Sequence, residues 1–569
     1  MDFIPPTADQ VLAIRVNAGI EQLARHDRFA AASPDMVEAI VEGIGQFAAG
    51  EFAPLNRAGD LEGAKLANGR VSLPAGFAEA YRAYVEQGWN AISGDVEFGG
   101  QGLPFTLASN VIENLGSANM AFTLLPLLTV GAIEAISHHG SESQKAAYLS
   151  RLISGEWSGT MNLTEPQAGS DVGALRTTAM PGPDGKWHIK GTKIFITWGE
   201  HDLAGNIVHL VLARTPGAPA GSRGISLFIV PKYHVKADGS LGERNDLRCV
   251  SLEHKLGIMA SPTCVMSFGD NDACLGEMIG AENEGLKAMF TMMNSARINV
   301  GNQGVQIAER ALQQAKAYAR DRVQSARAGS PSKDPVAIVE HPDVRRMLLR
   351  MRALTEGARA LLYYTAGTVD RGALGVPGAQ ARADCLVPLL KAWGTDIGCE
   401  VASLGVQIHG GMGFIEETGA AQHYRDARIA PIYEGTNGIQ AADLVTRKLG
   451  YEAGGVLASL FAEIASDCGD APGIAELAKA CAGIADWMSN EASLDDKLAG
   501  SVPFCTMSAV AVAGWQLQRQ ARDGAGGEAK RVVARFFATQ IATEALGLKA
   551  AALAGAGLLY ALDAEALAG

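Results

Sequence analysis

The chain has 569 residues, of which 48% are hydrophobic and 19% charged, with a net charge of -13 and eight cysteines. At roughly 100–200 residues per domain, that length predicts three or four domains with ample core material. The acidic balance argues against an extended nucleic-acid surface, which needs basic stripes, and the absence of any C-x-x-C pair points away from a zinc site or redox dithiol, so no metal is expected.

The first residues, Met1-Asp2-Phe3-Ile4-Pro5-Pro6, show neither a basic n-region nor an apolar h-region. No secretory signal or transit peptide is read there. With widely spaced cysteines, the expected setting is a cytoplasmic one that keeps thiols reduced. Residues up to about 155 are helix-like, with apolar positions recurring as in Met36, Val37, Ile40, Val41 and Ile44. The most apolar run, 121–133, contains Pro126 and Gly131 and is shorter than the ~20 residues of a bilayer-spanning helix, so a buried core helix and no membrane span are expected.

Near residue 160 the texture changes to short β-like runs at 187–190, 192–197, 207–212, 225–230 and 263–268, separated by turns such as Pro183-Asp184-Gly185. No helical stretch alternates with them, which predicts a compact antiparallel barrel or sandwich rather than βαβ units. A long linker is read over 232–249. Helical periodicity returns from Gly285, in stretches at 286–327, 342–371 and 381–406, with a glycine-rich turn at 409–413 and a further helix from Asn437 past Arg447. The Ala-rich segment 450–569 reads as an extra helical module, and within it 545–562 reads as a buried bundle helix.

Several ordered strings stand out. Met161-Asn162-Leu163-Thr164-Glu165-Pro166-Gln167-Ala168-Gly169-Ser170-Asp171 offers hydroxyls and close backbone approach where the helical and β parts meet. It resembles the T-E-P-x-A-G-S-D motif of the acyl-CoA dehydrogenase family. Four further strings resemble that family in the right order: Lys193-Ile194-Phe195-Ile196-Thr197, Asn294-Ser295-Ala296-Arg297 followed by Gly301, Gln407-Ile408-His409-Gly410-Gly411-Met412-Gly413, and Arg425-Asp426-Ala427-Arg428-Ile429 with Ile432-Tyr433-Glu434-Gly435-Thr436. The resemblance covers about residues 40–448. The tail and the string His254-Lys255-Leu256-Gly257-Ile258 resemble a longer subgroup, which includes 3-(methylthio)propanoyl-CoA dehydrogenases and bacterial fatty-acyl-CoA dehydrogenases with a C-terminal extension.

The resemblance implies an α+β fold: an N-terminal helical domain (1–158), a middle antiparallel β-barrel domain (159–280), a C-terminal four-helix bundle (281–449) and an additional helical domain (450–569). It implies FAD as cofactor, with Met161, Leu163, Thr164, Gly169, Ser170, Phe195, Ile196, Thr197 and Thr436 near it. Arg322, Gln407, Gly410 and Gly411 would reach the FAD of a partner subunit in a homodimer. Ser170, Asn294, Arg297, Tyr433 and Gly435 would hold the acyl-CoA substrate. An electron-transferring flavoprotein would take the electrons.

The implied catalytic residue is Glu434. An α-proton beside a thioester is too weakly acidic for an unassisted carboxylate. The negative charge that develops must be met by donors to the carbonyl oxygen, and burial must raise the carboxyl pKa towards the working pH. Some family members carry the base at the position of Ala296, which cannot abstract a proton here. Three departures stand out: Phe195 replaces a common Trp, Asn294 an acidic residue, and Ser325-Ala326 a common Phe-Gly. Competing readings are an acyl-CoA oxidase and a DNA-associated flavoprotein of the same fold. The second needs a basic C-terminal region, whereas 450–569 holds more acids than bases.

Overall fold

The computed structural model describes residues 2–569. Helices come first. Ser33 caps helix α1 (Pro34–Phe47) by accepting a hydrogen bond from Met36 N–H, with Pro34 set in the first turn. Helix α2 (Phe105–His139) is buried along almost its whole length. Its backbone leaves helical geometry at Asn119 (φ -158°, ψ 91°), whose Oδ1 accepts from Phe122 N–H at 3.1 Å and so restarts the helix. The apolar run 121–133 therefore belongs to a 35-residue helix that is long and apolar enough to cross a membrane by length and composition; 83% of its most apolar window is buried inside the protein. Helix Leu494–Asp523 passes the same test and is also mostly buried.

The β part holds β3 (Trp157–Asn162), β4 (Thr178–Pro181), β5 (Trp187–Thr197), β6 (Asn206–Ala213), β7 (Ser226–Pro231), β10 (Leu247–Leu252), β11 (Thr263–Phe268) and β12 (Leu275–Ile279) in the order β10-β11-β5-β12-β7-β6-β3, with β4 on β5. All pairs are antiparallel except β3 with β6, which run parallel. Strands β6 and β7 are buried on both faces, which explains their unbroken apolar runs. Val208, Leu210 and Leu212 face the helical core, while Val211, Phe228 and Val230 face a second core inside the sheet.

Three readings of the sequence need correction. The N-terminal part is not all helix: β1 (Lys65–Ala67) and β2 (Arg70–Ser72) form a hairpin closed by Asn68-Gly69, both with positive φ, a turn that matches the strand twist. The linker at 232–249 contains a second hairpin, β8 (Tyr233–Val235) with β9 (Leu241–Arg244). The segment 545–562 is not one buried helix. It breaks after Ala542–Leu546 and Lys549–Ala552, and Leu558, Leu559, Tyr560 and Leu562 are exposed, because Gly547, Gly555 and Gly557 interrupt the run.

The main helices beyond the β part are α3 (Gly285–Asp321), α4 (Pro342–Ala373), α5 (Ala379–His409), α6 (Ala420–Ala427), α7 (Asn437–Thr446), α8 (Gly455–Asp467), α9 (Pro472–Asn490), α10 (Leu494–Asp523) and α11 (Gly527–Phe536). Helix α3 ends at Asp321, short of the expected 327, and α5 packs against it so closely that a Cβ at Gly304 would lie 1.8 Å from the Gly394 carbonyl oxygen. This close crossing brings the first half of α3 under the loop that carries Glu434.

Candidate active site

The loop between α6 and α7 presents Tyr433, Glu434 and Gly435. Glu434 and Gly435 both adopt left-handed backbone conformations, φ 55° and 82°. Such a conformation in a glutamate is costly and is held here by specific bonds. The Glu434 carbonyl oxygen accepts from Arg297 Nε at 3.4 Å and from Gln440 Nε2 at 3.2 Å. A Cβ at Gly435 would lie 2.7 Å from Gln440 Nε2. Thr436 caps α7 by accepting from Ile439 N–H, and Asn437 anchors the loop to α5 through the Ala392 carbonyl, Thr395, Asp396 and Lys391. No hydrogen bond engages the Glu434 backbone N–H among the described residues.

The Glu434 side chain faces a small cavity of about 20 Å³, lined by Leu124, Leu127 and Leu128 of α2, Ala296, Val300 and Gln303 of α3, Thr197 of β5, and Tyr433. The Glu434 residue keeps some surface open to this cavity, yet protein surrounds its carboxyl group. Burial raises the carboxyl pKa above the ordinary value, opposed by the charges of Arg297 and then Lys391. Tyr433 OH donates to Gln303 Oε1, and burial pushes its own pKa far up, so it stays a neutral donor.

The sequence strings meet here only in part. Thr197, Arg297, Tyr433, Glu434 and Gly435 converge. Phe195 stands 59% exposed with φ 58°, beside the open backbone at Gly169, where a Cβ would touch nothing. Thr164 joins this surface through its carbonyl, which accepts from Ile194 N–H at 2.9 Å, and Ser170 is exposed. Ile196 turns its side chain into the sheet core and Met161 into the helical core, so only their main chains are left to face a ligand. Leu163 is half-buried, and its carbonyl accepts from Lys193 Nζ. Asn294 is half-buried on α3, one turn before Arg297.

Arg322, Gln407, Gly410 and Gly411 lie away from the cavity and are exposed. Tyr318 stacks on His409 at 4.4 Å, which sets the end of α3 carrying Arg322 beside the end of α5 carrying the glycines. A Cβ at Gly410 or Gly411 would meet nothing, so their backbone is open to an incoming group. Near the cavity, the exposed aromatic Phe195, the hydroxyls of Thr164, Thr197 and Ser170 and the bare backbone at Gly169 are groups that fit a flavin nucleotide.

Sequence reading missed three groups at or beside the cavity. Gln303 positions Tyr433. Lys391 is fully buried, with its pKa brought down to about 8 by burial. Glu134 of α2 accepts from Ser295 Oγ at 3.1 Å, and burial raises its pKa to about 7. Each is a lone residue in an apolar helix, with no local signal to single it out.

Acyl-CoA dehydrogenase family models match the chain over residues 34–156 (N-terminal domain), 160–271 (middle domain) and 283–449 (C-terminal domain). The chain is 51% identical over 561 residues to the 3-methylmercaptopropionyl-CoA dehydrogenase of Ruegeria pomeroyi, covering 95% of each. It is 33% identical over 575 residues to the broad-specificity linear acyl-CoA dehydrogenase FadE5 of Mycobacterium tuberculosis, covering 93% of this chain and 94% of that protein. The acyl-CoA dehydrogenase from Bacillus anthracis, solved in complex with FAD, shares the fold at a TM-score of 0.73 and 23% identity, covering 90% of this chain and 87% of that one. The chain thus belongs to the acyl-CoA dehydrogenase family and is an FAD-dependent enzyme that desaturates acyl-CoA thioesters.

Proposed function

We propose that Glu434 is the base of this reaction and that the substrate is a short acyl-CoA, with 3-(methylthio)propanoyl-CoA as the leading candidate. The observation that carries the reading is the Glu434 carboxyl, raised in pKa by burial and facing a cavity walled by three leucines. Glu434 removes the α-proton of the thioester and holds it on its carboxyl oxygen. Its unengaged backbone N–H is the donor available to the thioester carbonyl oxygen, where negative charge develops. Arg297 fixes the loop from below and adds positive charge near the thioester end. Leu124, Leu127 and Leu128 exclude water and limit the acyl chain. FAD, when bound, takes up the β-hydride and supplies the oxidising power.

The narrow, leucine-walled cavity favours short chains over long fatty ones. The 51% identity to a protein named for 3-methylmercaptopropionyl-CoA points the same way. Thr164, Phe195, Thr197 and Thr436 face the flavin in this reading. Arg322, Gln407, Gly410 and Gly411 complete the FAD site of a partner in a homodimer, Ser170 and Asn294 contact the CoA moiety, and an electron-transferring flavoprotein in the cytoplasm reoxidises the enzyme. The test is anaerobic titration of the FAD-loaded protein with acyl-CoAs of increasing length, watching the oxidised flavin absorbance. Short saturated thioesters are expected to bleach it, and Glu434→Gln is expected to keep FAD yet lose bleaching by at least 1000-fold in rate. Bleaching of Glu434→Gln at the wild-type rate would end the assignment. Release of peroxide in air at the rate of turnover would instead favour an oxidase.

A further inference from the structure

A second cavity, about 1260 Å³, is far larger than the one at Glu434 and shares no lining residue with it. It opens where the first helical turns of the chain, the α4–α5 connection, α8 and α10 meet. Five arginines line it. Three are matched by carboxylates: Arg15 with Asp523 at 2.6 Å, Arg382 with Glu463 at 2.7 Å, and Arg522 with Asp467 at 3.1 Å. The other two form no ion pair among the described residues. Arg371 donates to the Ala18 carbonyl and to Thr368 Oγ1, both at 2.9 Å. Arg519 donates to Gln516 Oε1 at 3.0 Å and lies over the Trp515 ring at 5.7 Å.

These two guanidinium groups feel one another. Burial lowers the Arg371 pKa, and the charges of Arg519 and Arg382 add to it, while Tyr364 and Asp370 oppose it. Arginine stays charged regardless, so the wall of this cavity holds two positive charges outside any ion pair among the described residues, with the buried Asp370 acting on Arg371 through space. The unpaired acids in the lining, Glu21 and Glu452, are exposed at the rim. Neutral hydrogen bonds hold both arginines in place, which leaves the rest of each donor fork for a ligand. Planar forks of this kind match phosphoryl oxygens in pairs. A volume of 1260 Å³ exceeds what a bare diphosphate fills and lies above the roughly 300–1000 Å³ of ordinary metabolite pockets, leaving room for a larger group attached to it.

We propose that this cavity, at the junction of the catalytic body and the C-terminal helices, binds a nucleoside diphosphate or similar diphosphate-bearing metabolite, with Arg371 and Arg519 gripping its phosphoryl groups. The proposal is independent of the base and substrate assigned above. The experiment is isothermal titration of the full-length, FAD-loaded protein with ADP and, separately, inorganic pyrophosphate, at low salt and in the presence of a saturating enoyl-CoA that fills the substrate site without reducing the flavin. Both probes are expected to bind, ADP more tightly. Arg519→Gln is expected to weaken ADP at least tenfold while melting temperature, FAD content and flavin reduction stay as in the wild type. Arg371→Gln is expected to do the same, and Arg519→Lys to recover part of the loss. The idea fails if neither probe binds the wild type, if both glutamine variants bind ADP as tightly as the wild type, or if enoyl-CoA abolishes the ADP heat.

Discussion

Two positive groups share the task of keeping Glu434 usable, and they differ in kind. Arg297 is tied to the loop carbonyl, whereas Lys391 sits under the loop with its Nζ 3.0 Å from Asn437 Oδ1. Burial raises the Glu434 carboxyl pKa above its ordinary value, and the two cations pull it part of the way back. Replacing Lys391 by Met removes one of them, so the Glu434 pKa rises. The acid limb of the kcat/KM profile, which reports the ionisation of the free enzyme, is expected to move up by roughly 0.5–1 pH unit, with the two profiles converging at high pH where Glu434 is ionised in both. Superimposable profiles would remove Lys391 from the base's environment. Gly435→Ala places a methyl group 2.7 Å from Gln440 Nε2 at φ 82°, and a loss of flavin reduction of at least tenfold with FAD retained is the expected result of stopped-flow assay. Glu434 was legible because Tyr433-Glu434-Gly435-Thr436 is an ordered string. Lys391 and Gln303 were not, since what places them at the cavity is the crossing of two helices remote in sequence.

Secondary structure was legible where periodicity runs long and obscure where a turn decides it. The helices α3, α4 and α5 and the strand β11 were found from their patterns alone, while the Asn68-Gly69 hairpin was passed over because its strands are only three residues long. The contacts that join helices were invisible altogether. Arg359 of α4 is buried and donates through Nε to Glu113 of α2 and through a terminal nitrogen to Glu309 of α3, each at 2.7 Å, and Tyr363 OH donates to Glu113 as well. Arg359→Met leaves two carboxylates buried without their cation. A loss of about 3–5 kcal/mol in denaturant unfolding is expected, and a loss below 1 kcal/mol would show that the site relaxes or admits water. Asp426 tests a different link. Its Oδ1 accepts from Ile258 N–H, joining α6 to the β part, and burial raises its pKa to about 7. A carboxyl with a raised folded pKa stabilises the protein below its unfolded pKa and loses that contribution as pH climbs through about 7. Asp426→Asn cannot ionise, so relative to the wild type it is expected to gain on the order of 1–3 kcal/mol between pH 5 and pH 8. A constant difference across that range would contradict the assignment.

The order of the whole chain, helices then strands then helices then a further helical unit, was readable from composition, but how the last unit docks was not. Helix α10 is buried against α4, α5 and α7. The docking carries buried polar ties, Lys530 with Glu356 and Asn17 with Gln520, and more open ones, Lys530 with Asp9 and Arg350 with Glu544. These helices cover one side of the bundle. What stays open is the opposite end, where Met412, Phe414 and Ile415 are exposed beside Arg322, Gln407 and the bare glycines of the α5 turn. A chain of 59.4 kDa with one association face closed and one open is expected to be a dimer by light scattering. If Arg322 and the Gln407–Gly411 turn reach the partner's FAD, diluting the enzyme until it dissociates should release FAD in step with the loss of dimer, and Arg322→Ala should weaken FAD retention without changing the monomer's melting in the apo form. A tetramer would mean that the covered face is not what limits assembly, and a monomer that keeps its FAD on dilution would mean that each chain builds its cofactor site alone and that the exposed end of α5 has another purpose.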